Sequence, residues 1–129
     1  PLIQAYANSS SCSIQLVLGE IPEIKLDEKE IRQLLLNLVR NGLEAMHPGG
    51  IVTIKTTYHK NIVALAITDQ GTGIPKDILE NIGKPFVTTK ATGTGLGLAT
   101  CYQIANRHNA TINIETSRQG TTFTINFPV

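Results

Sequence analysis

Asp27-Glu28-Lys29-Glu30-Ile31-Arg32-Gln33-Leu34-Leu35-Leu36-Asn37-Leu38-Val39-Arg40-Asn41-Gly42-Leu43-Glu44-Ala45-Met46 is the stretch around which the rest of the chain is organised. Asp27 followed three residues later by Glu30 has the spacing of a capping box, and Ile31, Leu34, Leu35, Leu38, Leu43 and Ala45 recur at helical intervals. The pattern predicts a helix from about Asp27 to Met46, stopped by Pro48-Gly49-Gly50. Asn37 and Asn41 lie one turn apart, about 40° from each other on the wheel, where the apolar arc of Leu34, Leu38 and Ala45 meets the polar side. Asparagine is a mediocre helix former, so two of them inside a strong helix carry a local cost that another interaction is expected to offset.

Working outward, Ser13 to Leu18 alternates like a strand, and Gly19 to Lys25 reads as a turn and a short extended piece. Ile51 to Tyr58 and Asn61 to Thr68 are rich in β-branched residues and predict a hairpin turning at His59-Lys60, with the turn type left open because Asn-Gly is absent. Asp69 to Gly97 holds six of the eleven glycines and one short helical possibility, Lys76 to Ile82; it is expected to be a long functional loop. A second helix is expected from Leu96 to Asn106, then strands from Thr111 to Thr116 and Thr121 to Pro128 joined by a turn containing Gly120. The expected fold is a two-layer α/β sandwich, its mixed, mostly antiparallel sheet covered on one face by helices.

A chain of 129 residues fits a single domain over residues 1–129 that buries roughly two-thirds of the surface its unfolded form exposes. With 41% hydrophobic and 16% charged residues it has the composition of a soluble globular protein, and a net charge of +1 gives no reason to expect a nucleic-acid partner. No apolar run is long enough to cross a bilayer and no leader pattern opens the chain, so a soluble domain without membrane contact of its own is expected, whether or not the full-length protein is membrane-anchored. Cys12 and Cys101 stand in unrelated contexts, as buried or incidental thiols of a reducing cytoplasm, and His47, His59 and His108 have no partner at a metal or catalytic spacing.

Four segments then carry chemistry in one order: Asn37-Leu38-Val39-Arg40-Asn41, Asp69-Gln70-Gly71-Thr72-Gly73, Pro85-Phe86 with Thr88-Thr89-Lys90, and Gly93-Thr94-Gly95-Leu96-Gly97-Leu98. Together they predict a pocket for ATP and Mg²⁺. A neutral amide oxygen suits Mg²⁺, which keeps few protein ligands when phosphates and water complete its octahedron. Asp69, at the end of the apolar run Ile62 to Ile67, is placed to accept from the exocyclic amine of adenine, where guanine has a carbonyl; Gly71 and Gly73 let backbone approach the base beside Ile74. The glycine turn before the second helix can aim backbone N–H groups at phosphate, helped by the helix dipole. It has neither the leading strand of a Rossmann turn nor the Gly-Lys-Ser/Thr of a P-loop. Lys90 and Arg40 are candidate cations for the terminal phosphates, and Phe86 a candidate anchor for a mobile lid. Each piece also has a plain alternative: solvated asparagines and cations, and an Asp-x-Gly turn.

In order and spacing these segments resemble the ATP-binding catalytic domain of bacterial sensor histidine kinases, over nearly the whole chain through Gly120-Thr121-Thr122-Phe123. Asn37 to Met46, Pro48-Gly49-Gly50 and Phe86 to Leu98 look most like the nitrogen-regulation and sporulation-type kinases. The resemblance implies the Bergerat fold shared with DNA gyrase, mismatch-repair ATPases and some chaperones, with a mobile ATP lid. It implies Asn41 as the magnesium ligand, Asn37 near the phosphates, Asp69 on the adenine amine, and Thr121 supporting that contact through water.

Glu44 and Ala45 depart from the lysine and aromatic residue that many family members carry there. The related ATPases have a water-activating glutamate at the Asn37 position; an amide cannot take a proton, so slow hydrolysis is expected. The resemblance further implies a phosphoacceptor histidine in a His-Glu-x-(Arg/Lys) motif on a separate dimeric helical hairpin, expected before Pro1, and a response regulator downstream. None of the three histidines here has that context. Three rivals remain: a hydrolytic ATPase of the same superfamily, a serine kinase like the anti-sigma relatives, and a non-catalytic nucleotide-sensing module.

Overall fold

The structure, a computed structural model, describes residues 12–79 and 96–129, apart from the side chains of Asp77 and Leu96. Strand β1 (Ser13–Leu18) is followed by helix α1 (Glu28–Ala45), the hairpin β2 (Ile51–His59) and β3 (Ile62–Thr68), the short α2 (Lys76–Leu79), helix α3 (Leu96–Arg107), and the hairpin β4 (Thr111–Ser117) and β5 (Gly120–Pro128). The five strands form one sheet in the order β1-β2-β3-β5-β4. Only β1 and β2 run parallel, with Ser13 opposite Ile51; the other pairs are antiparallel. The mixed sheet with helices on one face is the expected architecture.

Helix α1 begins and ends where its sequence says it should. The Asp27 Oδ1 accepts from the Glu30 amide at 3.1 Å, and the helix stops at Met46 in extended conformation, with Gly49 just beyond at φ +93°. The capping box is only half formed, however. The Asp27 amide donates to His108 Nε2 at 3.1 Å, and the Glu30 carboxylate turns to the Arg107 guanidinium, whose Nε lies 2.8 Å from Oε2. A charged partner on α3 outcompetes a backbone amide for that carboxylate. Helix α3 closes with Asn109 in the left-handed region at φ +56° and the Ala110 amide on Ala105 O at 2.8 Å, a Schellman arrangement.

Two turns differ from expectation. The β2–β3 hairpin turns at Lys60 and Asn61, with φ of +49° and +63°, one residue later than His59-Lys60. Positive φ at both central residues is the type I′ signature, whose twist matches the strands it joins. Gly120 is the first residue of β5 rather than part of the last turn, which is made by Arg118 and Gln119.

Leu34, Leu38, Val39 and Leu43 of α1 meet Cys101, Ile104 and Ala105 of α3 over Val52, Ile67, Phe123, Ile125 and Phe127 of the sheet, all of them buried. Each fully buried Leu, Ile or Phe side chain contributes about 1.5–3 kcal/mol, so this layer clamps both helices onto the sheet. The ends of β3 and β5 and the flanks of α1 and α3 are thereby placed together. No helix among the described residues is long and apolar enough to cross a membrane.

Candidate functional site

Asp69 follows directly on the central strand β3 and is one of two buried polar side chains among the described residues, the other being Thr121. Its amide donates to Thr121 O at 2.9 Å, extending the β3–β5 ladder by one rung. Its Oδ1 accepts from the Gly71 amide at 2.8 Å and from the Thr121 amide at 3.3 Å. The Asp-x-Gly turn is therefore real, and it fixes one carboxylate oxygen; Oδ2 lies on the α1 side, 3.7 Å from where a Gly42 Cβ would stand.

The glycines owe their place to the protein's own packing. A Cβ on Gly71 would stand 2.9 Å from the Ala45 Cβ, and one on Gly73, whose φ is +89°, only 2.2 Å from Ser117 O. Ile74, half-buried against the core, donates its amide to Thr116 Oγ1 at 2.9 Å, and Thr116 Oγ1 lies 2.8 Å from Thr121 Oγ1. The loop is thus pressed against α1 on one side and the β4–β5 hairpin on the other.

Helix α1 meets the second glycine segment nearer its middle. Asn37 Nδ2 donates to Gly97 O at 3.4 Å, while its Oδ1 accepts from Gln33 Nε2 at 3.0 Å. Behind it, the fully buried Cys101 thiol donates to Leu34 O at 3.7 Å. Burial pushes that thiol up to about 12, against a smaller opposing effect of its hydrogen bond with Asn37. Eight residues separate Asn37 from Ala45, a rise of roughly 12 Å along the helix. One helix therefore touches the start of α3 near its middle and the Asp69–Gly73 loop near its end.

Among the expected site residues, Asp69, Gly71, Gly73, Ile74 and Thr121 converge at the ends of β3 and β5, and Asn37 adjoins Gly97. Asn41 is half-buried between these two regions of α1, Arg40 is exposed, and Leu98 is half-buried on α3. Lys90, Gly93, Thr94 and Gly95, with Phe86 and the lid, lie outside the described residues, and Leu96 is described only as the first residue of α3. Sequence reasoning missed Gly42, Gln33 and Thr116. A glycine inside a strong helix was a signal for Gly42, whose Cβ would stand 3.2 Å from that of Asp69. Thr116 announces itself only through strand register.

A sheet with this order, two helices on one face and an aspartate-glycine loop braced between helix and hairpin define a class, and the comparisons agree with it. The chain belongs to the family of histidine kinase-, DNA gyrase B- and HSP90-like ATPases, whose model matches residues 26–129. Within that family it is a catalytic domain of the sensor histidine kinase kind. It is 39% identical over 104 residues to sporulation kinase C of Bacillus subtilis strain 168, covering 80% of this chain and 24% of the relative. The chain thus spans about a quarter of that relative's length. The catalytic domain of histidine kinase ThkA, in a nucleotide-free form, superposes with a TM-score of 0.87 at 29% identity, over 98% of this chain and 85% of that one. Full-length ShkA in complex with AMPPNP gives 0.87 at 26% identity, over 98% of this chain and 27% of that one.

Proposed function

We propose that this domain binds Mg²⁺-ATP with its base at Asp69 and its phosphates toward Gly97, and presents the γ-phosphoryl group to a histidine on the helical hairpin of the same kinase. The observation that carries this reading is that α1 braces both glycine segments, through Gly42 and Ala45 at one and Asn37 at the other. The AMPPNP complex of a relative with the same fold supports the ligand class.

Asp69 accepts the adenine amine, with Gly71, Gly73 and Ile74 forming the wall against which the base lies and Thr121 bracing the carboxylate from behind. Backbone amides from Gly93 to Leu98, with Lys90 and Arg40, take the phosphates. The donor chemistry fits Mg²⁺: a half-buried carboxamide at Asn41, between the two braced segments, offers the oxygen this ion prefers. Bound there, Mg²⁺ would supply neutralisation of the phosphate charge.

What the domain supplies is position and charge, the main requirements of phosphoryl transfer. Water activation is not among its resources at Asn37, whose amide is engaged with Gln33 and Gly97 and has no basic lone pair to offer. The phosphoryl group is thus kept for a protein acceptor, and a response regulator receives it afterwards.

The test is to mix this chain with γ-labelled ATP, Mg²⁺ and a separately produced helical hairpin carrying the acceptor histidine. Acid-labile, alkali-stable label on the hairpin is expected. Rapid release of inorganic phosphate with no label on the hairpin contradicts the reading.

A further inference from the structure

Asp69 holds only the first half of its loop, by the Gly71 amide. The second half is held by Thr116, on a different strand: its hydroxyl accepts the Ile74 amide at 2.9 Å and pairs with the Thr121 hydroxyl at 2.8 Å. Thr121 closes the circuit, because its amide binds Asp69 Oδ1 at 3.3 Å. Two neighbouring β-strand residues, one from each arm of the β4–β5 hairpin, therefore fasten both ends of the loop, Thr116 lying opposite Thr121 in register.

Accounting for the hydroxyl protons gives Thr116 more than a packing role. Thr121 is 4% exposed, so water has little access to its hydroxyl and a proton without a protein partner there is costly. Thr116 Oγ1 already accepts the Ile74 amide. If Thr116 donates to Thr121, the Thr121 proton has to point away from Thr116; if Thr121 donates, that proton is held at Thr116. In both arrangements the Thr116 hydroxyl decides where the Thr121 proton points.

We infer that Thr116 is a positioning residue for the base end of the nucleotide pocket, setting the height of Ile74 and the direction of the Thr121 hydroxyl without touching the nucleotide. This inference rests on the proposed ATP reading of the site. It concerns the base and not the phosphates, because Asp69 and Gly71 lie against the C-terminal end of α1 at Gly42 and Ala45, whereas Gly97 meets the middle of that helix at Asn37.

The experiment is calorimetric titration of this chain with Mg²⁺-ATP for wild type, Thr116→Val and Thr116→Ser, with hydrogen exchange of the Ile74 amide and transfer kinetics to a supplied hairpin. Valine keeps the β-branched shape and removes the hydroxyl; serine keeps the hydroxyl. Roughly tenfold weaker ATP binding is expected in Thr116→Val, from the loss of one hydrogen-bonded link, with the KM for ATP raised in proportion and kcat within about twofold. Faster Ile74 exchange should accompany it, and Thr116→Ser should restore all three. ATP affinity unchanged in Thr116→Val overturns the inference. So does equal loss in both variants with a matching fall in unfolding temperature, which marks packing alone. Wild-type chain that binds no ATP is a separate outcome: it sinks the ATP reading itself, and this inference with it.

Discussion

Asp69 and Thr121 are bound to each other twice: the Asp69 amide donates to the Thr121 carbonyl at 2.9 Å, and the Thr121 amide donates to the Asp69 carboxylate at 3.3 Å. Asp69 directly follows β3 and Thr121 lies on the adjacent β5, so the sheet itself sets the position of the carboxylate. A group held this way needs no reorganisation on binding a ligand, which lowers the cost of recognition.

Asp69→Asn should therefore separate recognition from folding. The remaining amide oxygen can still accept from Gly71 and Thr121, while the second oxygen becomes an NH₂ that cannot accept from adenine. ATP affinity should fall about ten- to hundredfold, the range for losing a hydrogen bond to a charged group, with the unfolding temperature close to wild type. Calorimetric titration beside a thermal melt checks both.

Gly120→Ala should act on the same pair through the backbone. Its φ is +151°, and a Cβ there would stand 2.1 Å from the Asp69 carbonyl oxygen. Backbone has to move, breaking the rung between Asp69 and Thr121. A loss of about 1–3 kcal/mol is expected for strain of this kind, read as a lower denaturant midpoint, together with weaker ATP binding.

Asn41→Ala should uncouple nucleotide binding from magnesium. In wild type, ATP should bind more tightly with Mg²⁺ than with EDTA; in the variant the two titrations should converge. Undiminished magnesium dependence counts against Asn41 as ligand.

The buried thiol gives a pH signature. Folding raises the Cys101 thiol from 9.0 to about 12, so the folded state holds this proton after the unfolded chain has released it. Its contribution is complete below pH 9 and is lost between pH 9 and about pH 12, at up to about 1.4 kcal/mol per pH unit. Denaturation curves for Cys101→Ala should fall less steeply over that window than those for wild type, and native Cys101 should resist alkylation at neutral pH.

Much of the scaffold was legible because local chemistry decided it. Asp27 and the Pro48-Gly49-Gly50 break bound α1, alternation gave β1, and runs of β-branched residues gave β2 and β3. The turn at Lys60-Asn61 was misplaced because Lys-Asn is not one of the usual I′ pairs. The parallel pairing of β1 with β2 had no local signal at all: Ser13 and Ile51 are partners although the whole of α1 lies between them in the chain. The same holds for the site. Asp69 and its glycines stand out as a motif, whereas Thr116 matters only because β4 places it beside Thr121 and beneath Ile74.

The most direct measurement is titration of the wild-type chain with ATP and with GTP in the presence of Mg²⁺. Saturable ATP binding is predicted, with GTP at least about tenfold weaker, since guanine offers a carbonyl where Asp69 needs a donor. Equal affinity for the two nucleotides, or no binding of either, contradicts the assignment of Asp69 as the adenine acceptor.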